Sequence, residues 1–317
     1  MSESLDLNAI REAHARIRDK IHRTPVMTSA WLDAECGGKL YFKCENLQKV
    51  GAFKARGATN AVFSLSDSEA VKGVATHSSG NHAAALARAA SLRGVPAHIV
   101  MPTNAPKSKQ AAVRGYGGVI VFCEPTLAAR EAACAQVMAE TGAVLVHPYD
   151  DFRVMAGQGT AALEFLEDVP DLDILLVPVG GGGLLSGSAV ASKGVKPGIR
   201  VVAAEPAQAD DAFRSFKSGQ RVTVQANTIA DGLRTSIGAR NFPIILGQVD
   251  DVVTVSEEGI VAAMRRIWSV LKTVIEPSAA VPYAAVLEGK LPVVGKRVGI
   301  ILTGGNIDLD ALPWMKG

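Results

Sequence analysis

At 317 residues, with 48% hydrophobic and 20% charged side chains, the chain is long enough for about two domains on the ordinary size scale. Its 33 Lys and Arg against 31 Asp and Glu leave a net charge of +2, which gives no general pull toward nucleic acid or a bilayer and points to small-molecule partners. Four cysteines (Cys36, Cys44, Cys123, Cys134) without CxxC spacing or clustered histidines indicate neither a zinc site nor a disulfide framework, so the thiols are expected reduced and mostly buried.

The chain opens with "MSESLDLNAIREAHARIRDK", where Leu7, Ile10, Ile17 and Ile21 recur at helical spacing between charges. This predicts a helix stopped near Thr24-Pro25, not the apolar core of a signal peptide, and implies a cytoplasmic protein. The sharp Gly51-Ala52-Phe53 turn follows, with Lys54 at the mouth of a helix. A cation is misplaced at that end of the helix dipole, and its deprotonation is helped there.

Apolar runs of strand length then alternate with helical patterns. The strands are "KLYFKC", "GVAT", "AHIVM", "GVIVF", "AVLVH", "ILLVPV", "VVAAE", "DVVTV" and "RVGIILT". Between them lie helices in "NHAAALARAASLRG", in "APKSKQAAVRG" with Pro106 placed for a helix start, and in "TLAAREAACAQVMAETG" closed by Gly142. Such alternation predicts an α/β fold with parallel sheets flanked by helices. No low-complexity tract, repeat or linker divides the chain, and "ILLVPVGGGGLL" is too short and too broken by Pro178 and glycines to span a membrane.

In such folds ligands sit beyond the carboxyl ends of strands, which singles out "THSSGNH" (76–82), "PVGGGGLLSG" (178–187) and "ILTGGN" (301–306). Gly180, Gly181, Gly182 and Gly183 precede a helix and contain no Lys or Arg, so backbone N–H groups would have to hold an anion there. A tight turn needs fewer glycines. A dinucleotide-binding turn is the competing reading, with Glu205 ending the next strand, but neither register completes GxGxxG, and Walker A is excluded. In "SSGNH", Ser78 or Ser79 is expected to cap a helix with the amides of Gly80 to His82 exposed. A lysine of depressed pKa, a phosphate cradle without cations, and further turns for a carboxylate and a ring together describe a pyridoxal-phosphate site.

The segments "GAFKARGA", "THSSGNH", "HPYDDFRVMAGQGT", "PVGGGGLLSG", "AAEPAQADD", "IADGL", "IEPSAA" and "LTGGNID" together resemble the fold-type II pyridoxal-phosphate enzymes (tryptophan synthase β-like), in the branch of serine racemase, threonine dehydratase and 3-hydroxyaspartate dehydratase. The resemblance runs in order from about residue 20 to residue 309. It implies a large cofactor-binding domain over 1–65 plus 149–317, a small mobile domain over 66–148, the cofactor in the cleft between them, and a homodimer. It further implies that Lys54 carries the cofactor as a Schiff base, that Phe53 packs against the pyridine ring, and that Asn81 bonds its hydroxyl. Gly180 to Gly183 and Leu184 would hold the phosphate, and Thr303, at a position where serine is commoner, would face the ring nitrogen. Glu205, Asp211 and the Ala209 carbonyl would bind a divalent cation, whose all-oxygen set suits Mg²⁺, Mn²⁺ or Ca²⁺.

The implied reaction is β-elimination from a β-hydroxy amino acid, giving a 2-oxo acid and ammonia. Lys54 serves as base, Ser79 passes a proton on the opposite face, and Ser78, Ser79, Gly80, Asn81 and His82 bind the substrate. 3-Hydroxyaspartate is the expected substrate. Serine racemase/dehydratase or threonine dehydratase activity is the alternative, and a nicotinamide-dependent oxidoreductase or a non-catalytic cofactor binder is the reading from another class. A second substrate carboxylate demands a cation, for which Arg130, Arg153, Arg234 and His82 are the candidates.

Overall fold

In the computed structural model, which describes residues 4–315, two parallel-dominated sheets are covered by helices. The strands are β1 (Val26–Met27), β2 (Lys39–Lys43), β3 (Val74–His77), β4 (Ala97–Pro102), β5 (Val119–Cys123), β6 (Val144–Leu145), β7 (Ile174–Pro178), β8 (Arg200–Pro206), β9 (Asp251–Val255) and β10 (Arg297–Ile301). The helices are α1 (Leu7–Ile17), α2 (Ala30–Cys36), α3 (Lys54–Phe63), α4 (Asp67–Ala70), α5 (Asn81–Arg93), α6 (Lys107–Gly115), α7 (Leu127–Thr141), α8 (Phe152–Asp168), α9 (Gly183–Val195), α10 (Asp211–Ser218), α11 (Asn241–Gln248), α12 (Glu257–Leu271) and α13 (Pro277–Leu287).

One sheet has the order β1-β2-β10-β7-β8-β9, parallel throughout except for the β1–β2 pair. The other, β5-β4-β3-β6, is wholly parallel and takes its strands from residues 74 to 145. Successive side chains on a strand face opposite ways, so a strand buried on both faces must be apolar throughout. On β7 and β8, Leu175, Val177, Val201 and Ala203 pack with Phe165, Leu185 and Ala189 of α8 and α9. Leu176, Val202 and Ala204 pack the other way with Met264, Ile267 and Val281 of α12 and α13. The smaller sheet uses the same arithmetic, with Val74, Ile99 and Met101 against α3 and α5, and Ala75 and Val100 against Cys134 and Val137 of α7.

All nine strands read from the sequence form. Two expectations are corrected. The first helix ends at Ile17, well before Thr24-Pro25, because the chain turns at once, with Lys20 N–H donating to the Ile17 carbonyl at 2.8 Å. The helix after "SSGNH" is capped at Gly80, without a side-chain cap; Ser78 Oγ only accepts from Gly80 N–H at 3.4 Å. The four cysteines are free, Cys44 and Cys134 buried, Cys36 and Cys123 half-buried. Among the described residues no helix is long and apolar enough to cross a membrane.

Candidate active site

Because β2, β10 and β7 run parallel, their carboxyl ends deliver three loops to one edge. The loop after β2 carries Val50 and Gly51, both at positive φ (57° and 69°), and is stitched to the loop after β10. Phe53 N–H donates to the Thr303 carbonyl and Gly305 N–H to the Gly51 carbonyl, each at 3.0 Å. Thr303 is thereby buried (3% exposed) beside the start of α3.

Lys54 is the first residue of α3, and its Nζ donates to the Pro148 carbonyl at 2.8 Å and lies 5.2 Å from the centre of the Phe53 ring. Burial pushes its amine down to about 8, against the pull of the Glu276 carboxylate. Glu276, the N-cap residue of α13, is itself pushed up to about 7, first by burial and then by Asp231. Asn81 Nδ2 donates to both Glu276 oxygens (3.0 and 3.2 Å), and Asn81 Oδ1 accepts from Asn306 Nδ2 at 2.9 Å. Glu276, Asn306 and the Pro148 carbonyl have no counterpart among the residues singled out in the sequence. A buried acid inside "IEPSAA" carries no local signal beyond the segment's resemblance to the family.

The glycine loop leaves β7 and enters α9 through Gly182, at φ 96°. Gly180, Gly181, Gly182, Gly183 and Leu184 are all buried. A Cβ on Gly181 would overlap the Tyr149 ring, and one on Gly180 would lie 2.9 Å from Leu233 Cα. Among the described residues none of the Gly180 to Gly183 amides donates to a protein acceptor. Unpaired donors at a helix N-terminus, with side-chain volume excluded, fit the phosphate end of pyridoxal phosphate.

His147 Nδ1 accepts the N–H groups of Tyr149 and Asp150, and the rings of His77, His147 and Tyr149 stack edge to face at 5.5 and 4.7 Å. The loop before α8 thus joins Lys54, through Pro148, to the glycine loop, through Tyr149. His82 is buried with Nε2 3.1 Å from the Val146 carbonyl, which makes Nε2 its protonated nitrogen. Burial and Lys54 hold its pKa well below the ordinary value, so it has no proton to offer a carboxylate from Nδ1. Of the three arginines, Arg153 is tied to Asp151 and the Leu145 carbonyl, and Arg234 to the Thr228 carbonyl. Arg130 on α7 is half-buried, its Nε has no partner, and its charge reaches His77 at the end of β3. Ser79 is half-buried in the turn between β3 and α5.

A cavity of about 1610 Å³ flanks this group and is lined by Gly80, Asn81, Lys109, Tyr116, Asp231 and Asn306, among others. Lys109 of the α6 segment meets Asp231 across it at 2.7 Å. The Lys54 and glycine-loop positions lie outside that lining.

Glu205 is fully buried at the end of β8 and accepts the Ala212 and Phe213 N–H groups at 3.0 and 2.9 Å. Asp211 Oδ2 accepts Ile237 N–H at 2.8 Å, and Ala209 is buried beside them. Burial pushes Glu205 up to about 9 and Asp211 up to about 6. Neither forms an ion pair with a Lys, Arg or His among the described residues. Two buried carboxyls lacking a cation fit a divalent ion, although no group of three or more His, Cys, Asp or Glu is arranged to hold a metal among the described residues.

The chain is 53% identical over 303 residues to the beta-hydroxyaspartate dehydratase of Paracoccus denitrificans (strain Pd 1222), covering 95% of this chain and 96% of that protein. It is 51% identical to a serine racemase of Arabidopsis thaliana, over 97% of this chain and 95% of the relative. The solved structure of maize serine racemase superposes with a TM-score of 0.95 at 50% identity, covering 98% of this chain and 96% of the other. A family profile described as "Pyridoxal-phosphate dependent enzyme" matches residues 17–304, and the chain belongs to that family.

Proposed function

We propose that this pyridoxal-phosphate enzyme eliminates water and then ammonia from a β-hydroxy amino acid, releasing a 2-oxo acid, and that 3-hydroxyaspartate is its preferred substrate. The observation that carries the reading is Lys54: an amine at the start of α3, bonded to the Pro148 carbonyl, whose pKa burial brings down to about 8, at the hub of the loops that form the glycine cradle and the carboxamide network. Similarity across nearly the whole chain to a beta-hydroxyaspartate dehydratase supports the substrate, and the Arabidopsis serine racemase supports serine as the second choice.

When bound, the cofactor supplies an electron sink that lowers the cost of removing a proton from the substrate Cα. The amides of Gly180 to Gly183, with Leu184, would hold its phosphate, and Asn81, Thr303 and Phe53 its ring. Lys54, whose amine burial brings down to about 8, so that its neutral fraction grows steeply as pH rises from 7 to 8, takes the Cα proton. Ser79 moves a proton on the opposite face, which would allow racemisation as a side activity. The turn from Ser78 to His82 binds the α-carboxylate through its amides, and Arg130 pairs with a second carboxylate. The segment 66–148 moves as the small domain against 1–65 plus 149–317, a division supported by the four-stranded sheet lying within 74–145. Glu205, Asp211 and the Ala209 carbonyl bind a divalent cation, most simply Mg²⁺. A homodimer working in the cytoplasm belongs to the same reading, with four free cysteines suiting a reducing compartment.

The test is release of ammonia and 2-oxo acid by the cofactor-loaded protein with 3-hydroxyaspartate diastereomers, L-serine and L-threonine in parallel. A large preference for one hydroxyaspartate isomer, lost in Arg130→Ala, is expected; equal rates on serine would overturn the substrate assignment. Lys54→Ala abolishes both the visible absorbance of bound cofactor and turnover, and a variant retaining both would sink the assignment of the base.

A further inference from the structure

Behind the helix that presents Lys54 lies a cluster of charges that no step above uses. Arg56, two residues on, is fully buried, and every one of its guanidinium nitrogens has an oxygen partner. Nε donates to Glu45 Oε2 at 2.7 Å, Nη2 to Glu45 Oε1 and Glu164 Oε2 at 2.7 Å, and Nη1 to Glu164 Oε1 at 2.9 Å and Thr160 Oγ1 at 3.1 Å. Thr24 Oγ1 donates to Glu45 at 2.6 Å. Lys43, also fully buried, pairs with Glu164 at 3.0 Å and donates to the Thr24 carbonyl at 2.8 Å. Burial opposes charge at Glu164, but His14, Arg56 and Lys43 hold its carboxyl well below the usual range.

A buried ion cluster is a poor source of net stability, because apolar residues of the same volume do as well or better. Its other property is geometric: a planar fork held by two carboxylates has one orientation. That orientation is reinforced by the next residues of α3. Gly57 touches α8 so closely that a Cβ on Gly157 would lie 2.6 Å from its Cα, and its N–H donates to Gln158 Oε1 at 3.1 Å. Asn60 Nδ2 donates to the Arg153 carbonyl at 2.7 Å, while its Oδ1 accepts from Arg16 at 2.6 Å.

These anchors restrict the roll of α3 about its own axis. Lys54 precedes Arg56 by two residues, about 200° around the helix. Its Nζ stands on the order of 8 Å from the axis, from a Cα radius of about 2.3 Å and an extended stem of roughly 6 Å. A roll of about 10° would therefore carry Nζ more than ~1 Å, the scale at which misplacement costs about 100-fold in rate.

We infer that Arg56 is a positioning residue for Lys54: the buried Arg56–Glu45–Glu164 cluster sets the roll of α3, and with it the place of the amine relative to the glycine cradle. This rests on the reading of Lys54 as the residue that carries the cofactor.

The test compares Arg56→Lys, which keeps the charge and loses the fork, with Glu45→Gln, which keeps the volume and weakens one arm. Each holoenzyme is measured for cofactor content, the pH midpoint of its visible absorbance, Tm, and kcat and KM per bound cofactor. The expected result for Arg56→Lys is kcat reduced about 10- to 100-fold with KM within about threefold, and a displaced pH midpoint; Glu45→Gln shows the same pattern, smaller. If Arg56→Lys does not fold, Glu45→Gln alone decides by the same two readings. A lowered Tm with wild-type kcat and an unmoved midpoint would overturn the proposal and leave the cluster a matter of stability. Failure of the underlying reading shows itself separately, as Lys54→Ala retaining the absorbance band.

Discussion

Replacing Gly182 by alanine tests whether the glycine cradle works as its backbone implies. Gly182 sits at φ 96° as the cap residue of α9, a conformation that costs an L-residue about 1–2 kcal/mol. Its new methyl would also lie 2.9 Å from Asn241 Cβ and 3.1 Å from Ile245 Cδ1, and overpacking of this kind adds about 1–3 kcal/mol. If the loop holds its shape, the two together lower stability by about 2–5 kcal/mol, a fall in Tm of roughly 3–8 °C for a chain of this size. If the loop relaxes instead, it withdraws an amide from the cradle, and one lost charge-assisted hydrogen bond of about 1.5–3 kcal/mol weakens cofactor binding roughly 10- to 150-fold. Thermal unfolding of the apoprotein and absorbance titration with pyridoxal phosphate separate the two routes. Gly198→Ala is the control, since its Cβ meets nothing within 4 Å and its φ is not positive; it should change neither quantity. Wild-type Tm and wild-type affinity in Gly182→Ala would refute the reasoning, because the strained turn would then do nothing for either fold or cofactor.

The rate at which apoprotein captures pyridoxal phosphate, followed by absorbance, should climb with pH and level off above about 8, where burial places the Lys54 amine; a rise continuing past pH 10 would mean an amine as exposed as free lysine. Mg²⁺ should raise the Tm of the wild type, since a cation present at 100 times its Kd adds about 2.7 kcal/mol to stability, and Glu205→Gln should abolish the effect, while an undiminished shift in that variant would move the cation elsewhere.

The architecture was legible because strands buried on both faces must be continuously apolar, as "ILLVP" and "VVAAE" are, and glycine-rich turns after such strands announce ligand loops. What escaped had no local pattern. β1 is only Val26–Met27, too short for alternation to register. α8 is buried nearly all round from Val154 to Leu166, which erases the polar face that marks an amphipathic helix. Ile21 continues the spacing of the first helix, yet the chain has already turned at Ile17. The serine expected to cap α5 lost to Gly80, whose extended backbone needs no side chain to begin the helix. The site was legible for Lys54 and Gly180 to Gly183, which carry their own chemistry or conformational freedom. Glu276 and Asn306 meet Asn81 only through contacts 195 and 225 residues apart in the chain.

Those long-range contacts explain why a lysine can stand at a helix start, where the dipole disfavours its charge. Lys54 is burdened further by burial, and the one carboxylate in electrostatic reach that would steady a cation there, Glu276, is itself held up near 7 by burial and Asp231. Burial thus works against a full charge on either group, and the pull of Glu276 on Lys54 only partly offsets it. The Val50–Asn306–Asn81–Glu276 chain of hydrogen bonds fixes which carboxylate edge faces inward, since Asn306 Nδ2 donates both to the Val50 carbonyl at 2.7 Å and to Asn81 Oδ1. Asn81→Asp would put a second carboxylate beside Glu276, raise the Lys54 pKa by stabilising its cation, and move the pH profile of cofactor capture upward. An unmoved profile in that variant would show that burial alone, without the Glu276 partner, sets the amine.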